Sequence, residues 1–457
     1  MGSGVQMSII EQIKNAGIVG AGGAGFPTHV KLKAKVEYLI INAAECEPLL
    51  QTDLYVIKHH AKEVVEAIQQ MKKEVGATYA VIATKAYYTE EVAILQREID
   101  ALGGDVTLHL MENFYPAGDE QVMVYEVTGR VVPPGGIPLL VGCIVSNLSS
   151  VHHIYSAITN GQPVTTKQLT VIGAVQKPTL MEVPIGTPFE VVLEQAGGIT
   201  IEDYLVIDGG PMMGAICTPE ELSKKVVTKT TSALIIKENS GYLNKLKYQS
   251  VKRMLQEAKV ACVQCTICTD LCPRYMIGHD IFPHRVMRYF SGGDIDEIEN
   301  NYMVKSAQIC CECGVCEVIA CPMGISPRQV NIHVKAALEK QGIRYENHQK
   351  SYTPDPMREY RGVFPRNIII KMGLTPYEKI KLTTMKKVEV EQVTIPLKMH
   401  IGAPSIPIVG VGDKVKEGDL IADIPPEALG AKIHASISGE VVSIDEQGIT
   451  LLAHTST

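Results

Sequence analysis

Nine of the chain's twelve cysteines lie between Cys262 and Cys321, in two evenly spaced runs. The first reads Cys262-x2-Cys265-x2-Cys268-x3-Cys272-Pro273, the second Cys310-x2-Cys313-x2-Cys316-x4-Cys321-Pro322. A tight loop of three thiolates with a fourth from a distant point suits a cubane [4Fe–4S] cluster, and the proline after the fourth cysteine breaks the local turn. Disulfides need an oxidising compartment, and no secretion signal is legible. Structural zinc also uses Cys-x-x-Cys pairs, but a third evenly spaced cysteine and the Cys-Pro endings favour iron–sulfur. The chemistry these residues offer is single-electron transfer.

The two runs resemble those of two-cluster ferredoxins, in which the fourth cysteine of each run binds the other cluster. The resemblance implies one cluster on Cys262, Cys265, Cys268 and Cys321, and a second on Cys310, Cys313, Cys316 and Cys272. The second run holds four residues before its last cysteine where the usual pattern has three. Cys311 is off the spacing and reads as a non-ligand, while Cys46, Cys143 and Cys217 read as small buried hydrophobes.

A second candidate site lies near the amino terminus. Gly20-Ala21-Gly22-Gly23-Ala24-Gly25-Phe26-Pro27 separates a helix-like stretch from a strand, and such a turn lets backbone amides approach a phosphate. The strand Tyr38–Ile41 then ends at Asn42-Ala43-Ala44-Glu45-Cys46-Glu47-Pro48. Ligands of α/β sheets sit at the carboxyl ends of strands. Asn42 can hydrogen-bond a planar heterocycle there, and Glu45 and Glu47 can accept bonds from ribityl hydroxyls or a nicotinamide amide. The bland alternative is a solvated acidic turn.

These residues resemble the FMN- and NADH-binding subunit of respiratory complex I. The shared pattern is the glycine loop with Lys31 after it, Asn42-Ala-x-Glu45-x-Glu47-Pro, Tyr115-x-x-Gly118-Asp119-Glu120 and Val145-Ser146-Asn147. That family has arginine where this chain has Ala21 and aspartate where it has Ala44. The resemblance implies FMN on Gly20, Gly22, Gly23 and Gly25 with Lys31 near its phosphate. Asn42, Glu45, Glu47, Tyr115, Gly118, Asp119, Glu120 and Asn147 complete the implied cofactor-binding set. No proton-shuttling catalytic residue is expected. The whole layout is similar to the Rnf complex C subunit, and its domain order resembles the cobalamin reductases of propanediol-utilisation microcompartments. This implies an NADH-dependent enzyme that reduces cob(III)alamin to cob(II)alamin and cob(I)alamin through FMN and two [4Fe–4S] clusters. It would lie in the cytoplasm, inside or attached to a microcompartment, with an adenosyltransferase and a shell protein as partners. An Rnf C-type NADH:ferredoxin subunit, or an electron relay without its own NADH site, is the alternative.

The elements that must position these residues form a multidomain α/β chain. Helical spacing at 8–17, around 58–73 and near 88–101 alternates with strands at 38–41 and 79–84, giving a Rossmann-like FMN/NADH-binding domain over 7–160. Short β-rich runs around a helix at Pro188–Ala196 indicate a β-grasp, soluble-ligand-binding module over 161–240. A helical di-[4Fe–4S] ferredoxin domain follows at 241–345, with helices at Phe282–Tyr289 and Arg328–Glu339. Residues 346–387 read as a linker, and 388–454 as an all-β barrel-sandwich domain, lipoyl-like but unmodified, because Lys432 stands too close to Ile433 for a swinging arm. His279, His284 and His333, near the cysteines, read as structural.

Composition narrows the partners. A net charge of −7 without a long basic run argues against nucleic acid. No apolar stretch reaches the roughly 20 residues of a membrane helix, so the chain reads as soluble or peripheral. Met1–Gln6 read as an extension ahead of a start at Met7.

Domain independence is testable from the sequence alone. Cys265→Ala should abolish the signal of one cluster while flavin content stays unchanged, measured by iron and flavin analysis of the reconstituted protein. Joint loss of flavin and both clusters would overturn it.

Overall fold

The structure, a computed structural model, describes residues 7–23, 25–103, 105–289 and 301–453. Met1–Gln6, Ala24 of the glycine loop, Gly104, residues 290–300 within the 241–345 span and residues 454–457 lie outside the described residues.

Helix α1 (Ile9–Asn15) opens on a capping box in which Ser8 and Glu11 satisfy each other's backbone amides. The short α2 (Thr28–Lys31) follows the glycine loop. Four strands then form an all-parallel sheet: β1 (Tyr38–Asn42), β2 (Tyr79–Lys85), β3 (Thr107–Met111) and β4 (Cys143–Asn147), in the order β3-β2-β1-β4. Between them run α3 (Thr52–Val75), α4 (Thr89–Leu102) and α5 (Glu120–Thr128), and α6 (Leu148–Asn160) leaves β4 directly. The central strands are almost wholly apolar, as sheets covered on both faces require. In register, Asn42 stands beside Ala83 on one side and Asn147 on the other, so β1 and β4 end side by side. Helix α3 begins earlier than its periodicity suggests, because backbone angles at His60 (φ −132°, ψ 19°) kink it and reset the apolar stripe.

The second sheet has the order β10-β6-β5-β9-β7-β8, from β5 (Thr166–Gly173), β6 (Thr179–Pro184), β7 (Tyr204–Asp208), β8 (Ala215–Cys217), β9 (Ala233–Glu238) and β10 (Met385–Lys387). Helix α7 (Phe189–Gln195) packs Phe189, Val192 and Leu193 under it. The strand β10 comes from the stretch read as a linker. That stretch is packed: helix Pro365–Lys371 buries Ile368 and Ile369 with Met372 and Leu374 against Leu205, Ile207 and Ile235. Its apolar run is too short for periodicity to reveal, and only burial against another module gives it a fixed place.

The carboxyl-terminal strands form two small sheets. One runs β11-β17-β16-β13 (Gln392–Ile395, Gly448–Ala453, Gly439–Asp445, Lys414–Val415), the other β12-β14-β15 (Ile406–Pro407, Leu420–Asp423, Ile433–His434). Their interior merges with that of the flavin-type domain: Ile395, Ile421, Ile433 and Leu451 belong to one buried cluster with Ile18, Ile41 and Val64. Lys432 is held by Asn15 Oδ1 at 3.0 Å rather than presented at a hairpin tip.

One glycine is indispensable to the second sheet. Gly173 has φ +101°, and a Cβ there would stand 2.1 Å from the carbonyl oxygen of Ile236 on β9. Gly173→Ala should destabilise by about 2 kcal/mol or more, read as a lowered melting temperature. An unchanged melting temperature would show that the β5–β9 contact yields freely.

Candidate functional site

The glycine loop and the ends of β1 and β4 meet at one edge of the parallel sheet. The loop is closed by the Gly20 amide donating to Phe26 at 2.9 Å. It is anchored to α6 by the Ala21 amide, which donates to Ser150 Oγ at 2.8 Å. Lys167 Nζ, from β5, donates to the Ala21 carbonyl at 3.2 Å, and the Ile401 amide of the carboxyl-terminal sheets donates to Gly25 at 3.1 Å. Gly23 (φ +119°) has no atom within 4 Å of where a Cβ would stand, whereas a Cβ on Gly22 would reach Asn147 at 3.4 Å. This leaves open space over bare backbone, as a flat ligand requires.

Asn42 Nδ2 donates to the Gly118 carbonyl at 3.0 Å, and Asn42 Oδ1 accepts from the Ala44 amide. Asn147 caps α6 by accepting from Ser150 and donates to Asp53 Oδ2 at 3.1 Å. Lys31 Nζ is not free: it bonds Glu120 Oε1 at 3.0 Å and the Val145 carbonyl at 2.7 Å, tying α2 to α5 and β4. Glu45 accepts from the Glu47 amide. Burial, with Asp53 and Glu47 nearby, pushes its carboxyl well above the usual range.

Three of the expected residues face another way. Glu47 Oε2 accepts from the Met212 amide at 2.9 Å, in the second module. Tyr115 Oη stands 2.8 Å from the Cys313 carbonyl and 3.2 Å from Glu47 Oε1. Asp119 Oδ1 caps α5, while Oδ2 accepts from Arg274 at 2.8 Å. Glu47 keeps partial solvent contact, yet burial raises its carboxyl to about 7. These side chains join the flavin-type domain to its neighbours, so a motif that sequence assigns wholly to a ligand divides between cradle and interface.

The cysteines gather into two cavities. Cys262, Cys265, Cys268 and Cys321 line one, with His284 and Met323. Cys272, Cys310, Cys313 and Cys316 line the other, with Cys311, Arg328 and Asn331. Each cavity therefore takes three cysteines from one run and the fourth from the other. The two loops repeat one backbone device. Residues flanking the second cysteine are left-handed in both, Gln264 (φ 55°) and Thr266 (φ 65°) in the first, Glu312 (φ 60°) and Gly314 (φ 81°) in the second. That winding turns the Gln264 side-chain amide toward Cys262 Sγ at 3.2 Å and the Glu312 backbone amide toward Cys310 Sγ at 3.4 Å. The additional residue of the second run is absorbed by a π-type turn, Cys316–Ala320, where the first run has an ordinary α turn at Ile267–Asp270.

The donor sets fit [4Fe–4S] clusters. Burial holds the Cys268 thiol up at about 12 and Cys310 at about 11, so these sulfurs want a cationic partner. Beside the second cavity, both amide atoms of Asn331 and Nε of Arg328 are buried without a hydrogen-bond partner. N–H groups aimed at such a cage are what cluster sulfurs accept. His279 is bound to the Val132 carbonyl at 2.8 Å and His284 to Thr269 at 2.6 Å, while His333 is half-buried.

Sequence reasoning missed Asp53, Lys85 and Lys167. Asp53 is 5 % exposed and accepts from Ser149 Oγ at 2.6 Å. Burial lowers the lysines, Lys167 to about 8. Lys167 carried a signal, since it alternates with Leu169 and Val171 on the inward side of β5. Asp53 carried none, because an acid in a helix's first turn is ordinary.

A parallel sheet with an open cradle at its strand ends, joined to two four-cysteine cages, defines a flavin and iron–sulfur electron-transfer protein. The Nuo51 FMN-binding domain family matches residues 13–156, the SLBB domain 168–215, the 4Fe–4S dicluster domain 261–326 and the RnfC barrel sandwich hybrid domain 368–456. The chain is 42% identical to cobalamin reductase PduS of Salmonella typhimurium over 97% of its length and 96% of that protein. It is 39% identical to the PduS of Citrobacter freundii, with 97% and 96% covered. The RnfC-type component of the Na(+)-translocating ferredoxin:NAD(+) oxidoreductase complex of Acetobacterium woodii is 33% identical, over 64% of this chain and 63% of that one. The chain belongs to the cobalamin reductase PduS family.

The Arg274–Asp119 pair is 12% and 9% exposed. Arg274→Ala, which leaves Asp119 buried alone, should cost about 3–5 kcal/mol. Urea unfolding followed by circular dichroism measures it, and a loss below about 1 kcal/mol would show the interface does not rest on this pair.

Proposed function

We propose that this chain reduces cob(III)alamin to cob(II)alamin and cob(I)alamin with electrons from NADH, supplying the reduced corrinoid that an adenosyltransferase takes up. One observation carries the reading: of the two cysteine cages, one is fastened to the flavin end of the sheet and the other opens at the surface. When bound, FMN accepts two electrons as hydride and releases them singly, and [4Fe–4S] clusters carry one each.

The chain's own residues supply placement and exclusion of water. Gly22, Gly23, Asn42, Gly118 and Asn147 hold the flavin against bare backbone, and the Lys31–Glu120 pair closes the base of the cradle. The proposed ligands of the inner cluster are Cys272, Cys310, Cys313 and Cys316. Tyr115, bonded to the Cys313 carbonyl, and Arg274, two residues past Cys272, keep that cage against the flavin-type domain. The proposed ligands of the outer cluster are Cys262, Cys265, Cys268 and Cys321. Cys265 is exposed, and Val263 (59%), Ile267 (37%) and Met323 (47%) give its surroundings an exposed apolar character. An apolar rim beside an exposed cage suits the flat, largely apolar face of a corrin ring.

No helix among the described residues is long and apolar enough to cross a membrane. Association with a microcompartment, through a shell protein, is part of the proposal and rests on the family relationship.

The test is anaerobic. Reconstituted protein is mixed with NADH and aquocobalamin, and visible spectra are followed with and without added FMN. Flavin-dependent formation of cob(II)alamin, at least about tenfold faster than in Cys265→Ala, is expected. Rapid reduction of a dye by NADH with no transfer to the corrin would overturn the reading in favour of a protein acceptor. Failure of NADH to bleach flavin or clusters would leave only a relay.

A further inference from the structure

Outside the cradle and the cysteine cages, one cluster of ligating side chains stands apart, on the face where α3 and α6 pack together. Glu63 Oε2 lies 2.9 Å from His60 Nδ1 and 2.9 Å from His152 Nε2. The two imidazole rings are 4.3 Å apart between centroids and tilted by 34°. All three ligating atoms fall within 4.8 Å of one another. His60 and Glu63 are three residues apart and share a helix face, and His152 reaches across from α6.

A tetrahedral zinc ion with bonds of about 2.0–2.1 Å separates its ligand atoms by roughly 3.3 Å. Small rotations of the two rings, with Glu63 turning outward, open the present triangle to that size. The set is that of an open site, two imidazoles and one carboxylate with a fourth position for water. His60, His152 and Glu63 keep side-chain exposures of 29%, 13% and 35%, which leaves an approach from solvent. Burial and the neighbouring His60 lower the pKa of His152, which keeps this ring in the neutral form that binds metal.

A second observation is the backbone. His60 is the one residue inside α3 with non-helical angles. Neither proline nor glycine occurs between Thr52 and Val75 to cause that kink. The kink rotates the His60 side chain toward His152. Local departures of this kind persist where surrounding interactions hold them, and they concentrate at functional sites.

We propose that His60, Glu63 and His152 bind a divalent transition-metal ion of the zinc class, pinning α3 to α6. The site lies about two turns beyond Asp53 on α3 and about one turn beyond Ser149 on α6, the residues whose hydrogen bond closes the flavin cradle from below. A metal there would stiffen the cradle without touching its ligand.

The experiment uses the cluster-reconstituted full chain, exposed to buffered micromolar Zn2+ and then desalted. Wild type, His60→Gln, Glu63→Gln and His152→Ala are compared by elemental analysis and by melting temperature. Zinc bound to cysteine is common to all four proteins, so the difference reports this site. The proposal expects about one more zinc per chain in wild type than in any variant, and a zinc-dependent rise in melting temperature confined to wild type. Equal zinc content in wild type and in Glu63→Gln would overturn it. So would a melting temperature that zinc leaves unchanged in wild type. Should His152→Ala fail to fold, the two more exposed positions, His60 and Glu63, still decide the outcome.

Discussion

The arrangement depends on a buried ion pair between two modules. Arg274 follows the Cys272-Pro273 step and donates to Asp119, whose other oxygen caps the helix leaving the flavin end of the sheet. Removing both charges from water is expensive, and the cost is offset only where geometry fixes the partners and the remaining lone pairs are satisfied. Asp119 meets that condition, with two backbone amides and a guanidinium. The pair therefore does more for position than for stability. It holds the second cysteine cage against the flavin-type domain, and Tyr115 reinforces the same junction through the Cys313 carbonyl.

The carboxyl-terminal sheets have a related part to play. They share a hydrophobic cluster with the flavin-type domain, and their Ile401 amide supports the glycine loop at Gly25. Buried Lys229 donates to the carbonyls of Gly17 and Lys432, so three modules converge on one ammonium group. Burial lowers that lysine to about 7. The barrel-sandwich fold, which in carriers presents a lysine at a hairpin tip, here turns Lys432 inward to Asn15 and acts as a buttress.

The cysteine cages show how little sequence identity a geometry needs. Glu312 and Gly314 repeat the left-handed positions of Gln264 and Thr266 with different side chains. Three of these four are not glycine, and the strain is tolerated because each cage constrains its own loop. The one-residue difference between the runs leaves the cages alike because the π-type turn at Cys316–Ala320 takes it up.

Local pattern alone determined much of this protein. The cysteine spacing, the glycine loop before a strand, and the apolar runs at Tyr38–Asn42, Tyr204–Asp208 and Ala233–Glu238 are short-range signals, and elements stand where they indicate. The chain between 346 and 387 was illegible, because Ile368 and Ile369 acquire their place only by burial against β7 and β9. The kink at His60 was equally hidden, since no breaker residue marks it. Tertiary structure alone decided which motif residues line the cradle and which join modules. Asn42 and Asn147 come together through the parallel register of β1 and β4, whereas Tyr115, Glu47 and Asp119 are drawn away by partners distant in sequence. Hydrogen-bond partners that far apart along the chain leave no local trace, so only the folded chain reveals which use each side chain serves.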